Sequence, residues 1–187
     1  RIMPKFFELS IYTIFFYFLT WVVWLFIVQS VETGTLLGSL AFLPHAGRVL
    51  PVLFFGGKSI PAIFFAEFVA TNYIGSEMLQ HSTSWGALLS STAILISWGA
   101  FKLLDVDLKS KKVLRNTDWK HVTLFILVSA MINGMSQGAY YLYIYEVFDP
   151  LMPIRFAVGD IVGSSIVILT LMFLTGWIRI PNREDYD

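Results

Sequence analysis

Seven polar side chains stand inside apolar stretches of the chain: His45, Arg48, Glu67, Asn72, Asn133, Gln137 and Asp160. Their types fit ion pairing, hydrogen-bond relay and proton exchange, and we take them as candidate ligand-binding residues. An isolated charge in hydrocarbon costs at least ~2.5 to 3.5 kcal/mol, so Arg48 and Glu67 each need a partner. Both lie in "LAFLPHAGRVLPVLFFGGKSIPAIFFAEFVATN", Leu40 to Asn72. Counting back nine residues from Gly57 reaches Arg48, and counting forward nine from Lys58 reaches Glu67. If "GGKS" is a turn, both sit roughly 12 to 14 Å from it, on antiparallel neighbours. A direct or water-bridged Arg48–Glu67 contact is therefore expected.

His45 lies one helical turn before Arg48, at i−3 on the same face. Thr71 follows Glu67 at i+4, with Asn72 beside it. Asn133 and Gln137 form another i, i+4 pair, and Asp160 precedes Ser164 and Ser165. His45, Asn72, Gln137 and Asp160 are expected to surround one outward-facing polar pocket in the outer half of the bundle, with Arg155 above Asp160 and paired with it or with headgroups. A purely structural tie between helices accounts for the same residues equally well. His45 is the group in this set that titrates near neutrality without perturbation.

Other chemistries find no support. The chain has no cysteine, which excludes disulfides and thiolate metal sites. His45, His81 and His121 are expected at three different depths, with no H-x-x-x-H pair for a metal. There is no plausible Ser-His-Asp order. "GGKS" lacks the upstream glycine of a phosphate-binding loop and follows no strand. No basic–aromatic pattern points to a nucleic acid. The chain is not expected to be an enzyme, and no cofactor is implied.

These residues require helices to position them. The 187-residue chain is 56% hydrophobic and 14% charged, with 17% aromatic residues and a mean hydropathy of +0.69. Soluble domains carry about 25% charged residues, so an integral membrane protein is expected. A bilayer core about 30 Å thick takes about 20 apolar residues per helix. Six runs meet or approach that length: Glu8 to Val28, Thr35 to Phe55, Ile60 to Met78, Trp85 to Leu104, His121 to Tyr145 and Pro153 to Ile178. The expected fold is all-α, one domain of six transmembrane helices in one bundle, with no signal peptide. A basic loop, Asp105 to Lys120, divides it.

Lysine and arginine set the orientation. With six crossings, one side holds Arg1, Lys5, Lys58, Lys102, Lys109, Lys111, Lys112, Arg115, Lys120, Arg179 and Arg183. The opposite loops hold Glu32, Glu77, Glu146 and Asp149. Both termini are thus expected in the cytoplasm, with the basic loop facing anionic lipid or a cytoplasmic partner. Gly34/Gly38, Gly134/Gly138 and Gly159/Gly163 form G-x-x-x-G pairs that admit close packing. Pro44 and Pro51 break the second run, which marks it as lining a cavity or simply kinked.

Pro44, Ala46, Gly47, Gly57, Pro61 and Asn72 in the quoted hairpin, with Asp160 and Gly163 in "IRFAVGDIVGSSIVILTLMF", carry a resemblance. They resemble the membrane-associated sensor domain of the first type, a bacterial module found ahead of diguanylate cyclase and histidine kinase domains. The likeness covers about half the chain. Leu43 stands where that family often has an aromatic residue, and no output domain is expected after Arg183. The resemblance implies a standalone sensor-like module of a bacterial inner membrane, signalling through a protein partner in the membrane or at its cytoplasmic face. Two alternatives remain. One is an accessory subunit of a larger membrane complex, packing through the aromatic first run. The other is the substrate-binding component of a small-solute transporter.

Overall fold

The computed structural model describes residues 2–30, 39–74, 84–106, 108, 119–146 and 149–177. Among them the regular structure is entirely helical. Helix α1, Ile2–Val23, continues as a π-helical segment, Trp24–Gln29. Helix α2 is Pro44–Phe55, and a 3-10 turn, Gly56–Ser59, leads to α3, Ile60–Val69. A second π segment, Ala70–Ile74, extends α3. Helices α4, α5 and α6 are Ser84–Leu103, Trp119–Tyr145 and Met152–Trp177.

Five segments are long and apolar enough to cross a membrane: Phe6–Gln29, Pro44–Tyr73, Ser84–Leu103, Lys120–Tyr145 and Met152–Leu174. The chain thus fits a multi-pass membrane protein. The second segment is not one rod. Its residues 48 and 67 touch, whereas a straight helix would hold them about 28 Å apart. It folds back at Gly56, whose φ of 68° lies in the left-handed region that glycine enters without a Cβ clash. Pro61 follows in the first turn of α3, where a missing N–H costs nothing.

The second run departs from expectation. A helix over 35–55 is expected, but α2 begins at Pro44 and is 12 residues long, about 18 Å. Residues 39–43 form a non-helical strap, and 35–38 lie outside the described residues. The strap rests on α6, where Phe42 N–H donates to the Gly159 carbonyl at 2.8 Å. A Cβ on Gly159 would strike the backbone of Ser39, and one on Gly163 that of Phe42. This G-x-x-x-G pair therefore admits a bare backbone rather than a second helix. Non-helical backbone at membrane depth is tolerated where protein encloses it, and here Trp24 Nε1 also donates to Ser39 Oγ at 3.1 Å. Gly134 and Gly138 take up Pro153 and Ala157 of α6 in the same way. Gly34/Gly38, His81 and most of the basic loop fall outside the described residues.

Helices α1, α3, α4, α5 and α6 follow one another around the bundle, each packing on the next, and α2 fills the middle against α1 and α6. Ten of its residues, Pro44 to Leu53, are buried. Toward the hairpin turn, Val49, Leu50, Val52 and Leu53 pack with Ile63, Ile94, Phe101, Phe125 and Ile126 into an apolar core. Around the strap, Trp21, Trp24 and Phe42 meet edge to face. The outer faces are apolar: Phe7, Phe15, Phe26, Phe65, Tyr143 and Leu169 are all more than half exposed. Water does not suit such a surface, whereas acyl chains do.

Candidate functional site

The polar network starts on α2, just past the strap. A helical pitch of 3.6 residues places His45 and Arg48 on adjoining positions, and both side chains point into the bundle. Arg48 reaches α3: its NH2 donates to Glu67 Oε1 at 2.6 Å, a charge-assisted bond with both residues buried. The Arg48 guanidinium also lies 5.3 Å from the ring centre of Phe42, so the strap supplies an aromatic face to the cation. Glu67 accepts a second bond at Oε2 from Ser91 of α4 at 3.1 Å. Ser90, beside it on α4, is held instead by Gln137 of α5.

His45 joins the remaining helices. Its Nε2 lies 3.1 Å from Ser129 Oγ on α5. Its Nδ1 lies 3.2 Å from Arg48 NH1 and 3.3 Å from Asp160 Oδ2 on α6. Asp160 Oδ2 also accepts from Asn133 Nδ2 of α5 at 2.6 Å. Gln137, one turn further along α5, donates from Nε2 to Ser90 Oγ at 2.8 Å and to the Gly86 carbonyl at 2.9 Å. A continuous chain therefore runs Ser91–Glu67–Arg48–His45–Asp160–Asn133, through α4, α3, α2, α6 and α5, and the Gln137–Ser90 pair lies beside it.

Five of the seven expected site residues, His45, Arg48, Glu67, Asn133 and Asp160, share this chain, and each is at most 3% exposed; Gln137, also buried, lies beside it. Asn72 stands apart: its Nδ2 donates to the Phe68 carbonyl at 2.7 Å, and its Oδ1 accepts from Ser84 at 2.8 Å. It lies in the π segment, five residues after Glu67 and one past the i+4 position that Thr71 occupies. Arg155 pairs with Asp149 at the start of α6, not with Asp160. There Asp149 Oδ1 also accepts from Leu151 N–H. The Arg155 bond, then the backbone bond, hold the Asp149 carboxyl below its usual range.

Sequence reasoning missed Ser90, Ser91, Ser129 and the Phe42 ring. One signal was available for Ser129, which precedes Asn133 by one turn on the same face. Three network-side polar atoms have no hydrogen-bond partner among the described residues: Arg48 Nε, Asn133 Oδ1 and Ser164 Oγ. No group of three or more metal-ligating side chains occurs among the described residues. The arrangement can hold charge and protons in a dry interior, and can transmit a change at one helix to four others. No protein-family model matches the chain, and neither a curated protein nor a solved structure does.

Proposed function

We propose that this chain is a sensor-like membrane module that binds a small ligand or a proton at the buried polar network and signals through a partner protein. The observation that carries the reading is the Arg48–His45–Asp160 junction on a short central helix. Ionisable groups within membrane helices are costly, and where they are retained they mark ion, proton or substrate sites by default. Here they are concentrated on α2, the helix enclosed by the others. Any change in their charge or partners is felt by α3 through Glu67 and by α6 through Asp160. The strap and its glycine seat on α6 adjoin the same junction, so a change at Asp160 acts next to the strap's anchor.

In this reading both arms of the α2–α3 hairpin cross the bilayer. The protein then has six crossings, both termini are cytoplasmic, and the basic loop 105–120 faces the partner. The lysine and arginine distribution supports that orientation. The membrane is the inner membrane of a bacterium, and the chain is not an enzyme.

Thermal unfolding of the purified protein in detergent tests the proposal, across a metabolite set and a pH series, with wild type and Asp160→Asn. A stabilisation that depends on ligand or pH and is altered in Asp160→Asn is the expected result. A melting temperature indifferent to every compound and to pH would remove the reading.

A further inference from the structure

The donor and acceptor pattern of the junction names its ligand, granted that the network is a binding site. Ser129 Oγ donates its proton to the Ile126 carbonyl, so it can only accept from His45 Nε2. A neutral imidazole carries one N–H. His45 Nδ1 is then a lone pair, and Arg48 NH1 is placed to donate to it at 3.2 Å. Asp160 Oδ2 faces that same lone pair at 3.3 Å. An ionised Oδ2 would be pressed against that lone pair in an apolar interior, whereas a proton on Oδ2 turns the contact into a hydrogen bond that shares the single Nδ1 lone pair with the Arg48 N–H.

Counting charge gives the same answer. Arg48 is a cation, and Glu67 and Asp160 are carboxylates, which leaves one negative charge in excess. The other groups facing the junction add none: Tyr17 of α1 interacts with Arg48, Ser91 of α4 binds Glu67, and Ser129 and Asn133 of α5 bind His45 and Asp160. One bound proton makes the buried set neutral. A proton on Nδ1 instead would set an imidazolium N–H against the Arg48 N–H.

We propose that Asp160 and His45 form a site for a single proton, carried on Asp160 Oδ2 and hydrogen-bonded to His45 Nδ1, and that its release transfers Arg48 from His45 to Asp160. On release the proton passes from Oδ2 to water and Asp160 becomes a carboxylate. That carboxylate repels the Nδ1 lone pair and attracts the guanidinium. Arg48 has a donor free for the exchange in its unpartnered Nε. The exchange shifts the pull on α2 from its own His45 toward α6, next to Gly159, where the strap is seated.

Infrared spectroscopy of the full chain in lipid nanodiscs reads this proton directly. Near neutral pH the exposed carboxyls are ionised, so a carboxylic-acid C=O band reports a buried, protonated group. The band is expected in wild type, lost in Asp160→Asn, kept in Glu67→Gln and shifted in frequency in His45→Gln. It should fade in one step as pH is raised. The His45→Gln shift keeps the test usable if Asp160→Asn fails to fold. Absence of the band in wild type, its survival in Asp160→Asn, or its loss in Glu67→Gln alone overturns the proposal. The two readings fail separately. The expected bands in a protein whose stability no compound changes, and depends on pH only through that one proton, would leave the proton site and remove the ligand sensor. Ligand-dependent stabilisation without the band would do the reverse.

Discussion

Arg48 NH2 lies 2.6 Å from Glu67 Oε1, and the two residues are 19 positions apart on the two arms of one hairpin. The bond spans a reversal of the chain, so it reports directly on whether the arms are in register. Removing one member of a buried pair leaves an uncompensated charge, which costs about 3 to 5 kcal/mol. Arg48→Met is expected to destabilise by that amount. The double variant Arg48→Met, Glu67→Met should recover most of it, since two apolar side chains leave no buried charge. Equilibrium unfolding in detergent of the four proteins measures the coupling. Additive losses would show that the pair does not stabilise the hairpin.

The glycine seat of the strap gives a second test. Gly159→Ala and Gly163→Ala each drive a methyl into strap backbone, and forced packing of this kind costs about 1 to 3 kcal/mol. A methyl on Gly99 would meet nothing within 4 Å, so Gly99→Ala inside α4 should be neutral or gain up to about 1 kcal/mol from helix propensity. Thermal melts of the three variants under one condition compare them. Equal effects at all three positions would mean that the strap is not held on α6 as described.

Gln137 crosses from α5 to α4 with two bonds from one nitrogen. Polar links between membrane helices contribute about 0.6 kcal/mol on average and at most about 1.7. Gln137→Leu should lose an amount in that range. Ser165→Ala, by contrast, removes a bond to the carbonyl of its own helix and should be close to neutral. Unfolding free energies in detergent separate the two, and a neutral Gln137→Leu would place the α4–α5 contact on apolar packing alone.

Acid should loosen the start of α6 through Asp149. Its carboxyl is held below its ordinary range by Arg155 and by Leu151 N–H. A depressed carboxyl contributes stability that is present above the unfolded value, about 4, and is lost as pH falls through the folded one. The amide exchange of Leu151 and Met152 should therefore rise below about pH 4 in wild type. In Asp149→Asn it should already be fast at neutral pH and show no such step. A wild-type step that persists in Asp149→Asn would belong to another group.

The hairpin was legible because its determinants are local. A glycine-bearing turn, a proline after it and two opposite charges at matching distances fix the register within Leu40 to Asn72. The start of α2 was not legible in the same way. Residues 35–43 are apolar, and hydropathy reads them as helix. What keeps 39–43 out of a helix is a bare backbone surface on α6, supplied by Gly159 and Gly163 far along the chain. Pro44 at the first helical turn was the local sign. The serines were hidden for a different reason. Serine bonds its own helix so readily, as Ser97 and Ser136 do here, that Ser90, Ser91 and Ser129 look no different in sequence. Asn72 was misplaced because its amide is taken up by the Phe68 carbonyl of its own helix and by Ser84 of α4, which no spacing within Leu40 to Asn72 discloses.

The shortness of α2 bears on how the chain is made. At 12 residues it falls well below the ~20 that the insertion machinery of a cell releases into lipid as a stable span, and an arginine at its centre adds ~2.5 kcal/mol or more against release. Entering together with α3, it brings Glu67 to cancel that charge. Asp160 and the glycine seat emerge from the ribosome only with α6. Biogenesis must therefore shelter a half-finished hairpin until α6 has been made, so a truncation before α6 is expected to leave a substrate for membrane proteases rather than a smaller stable protein.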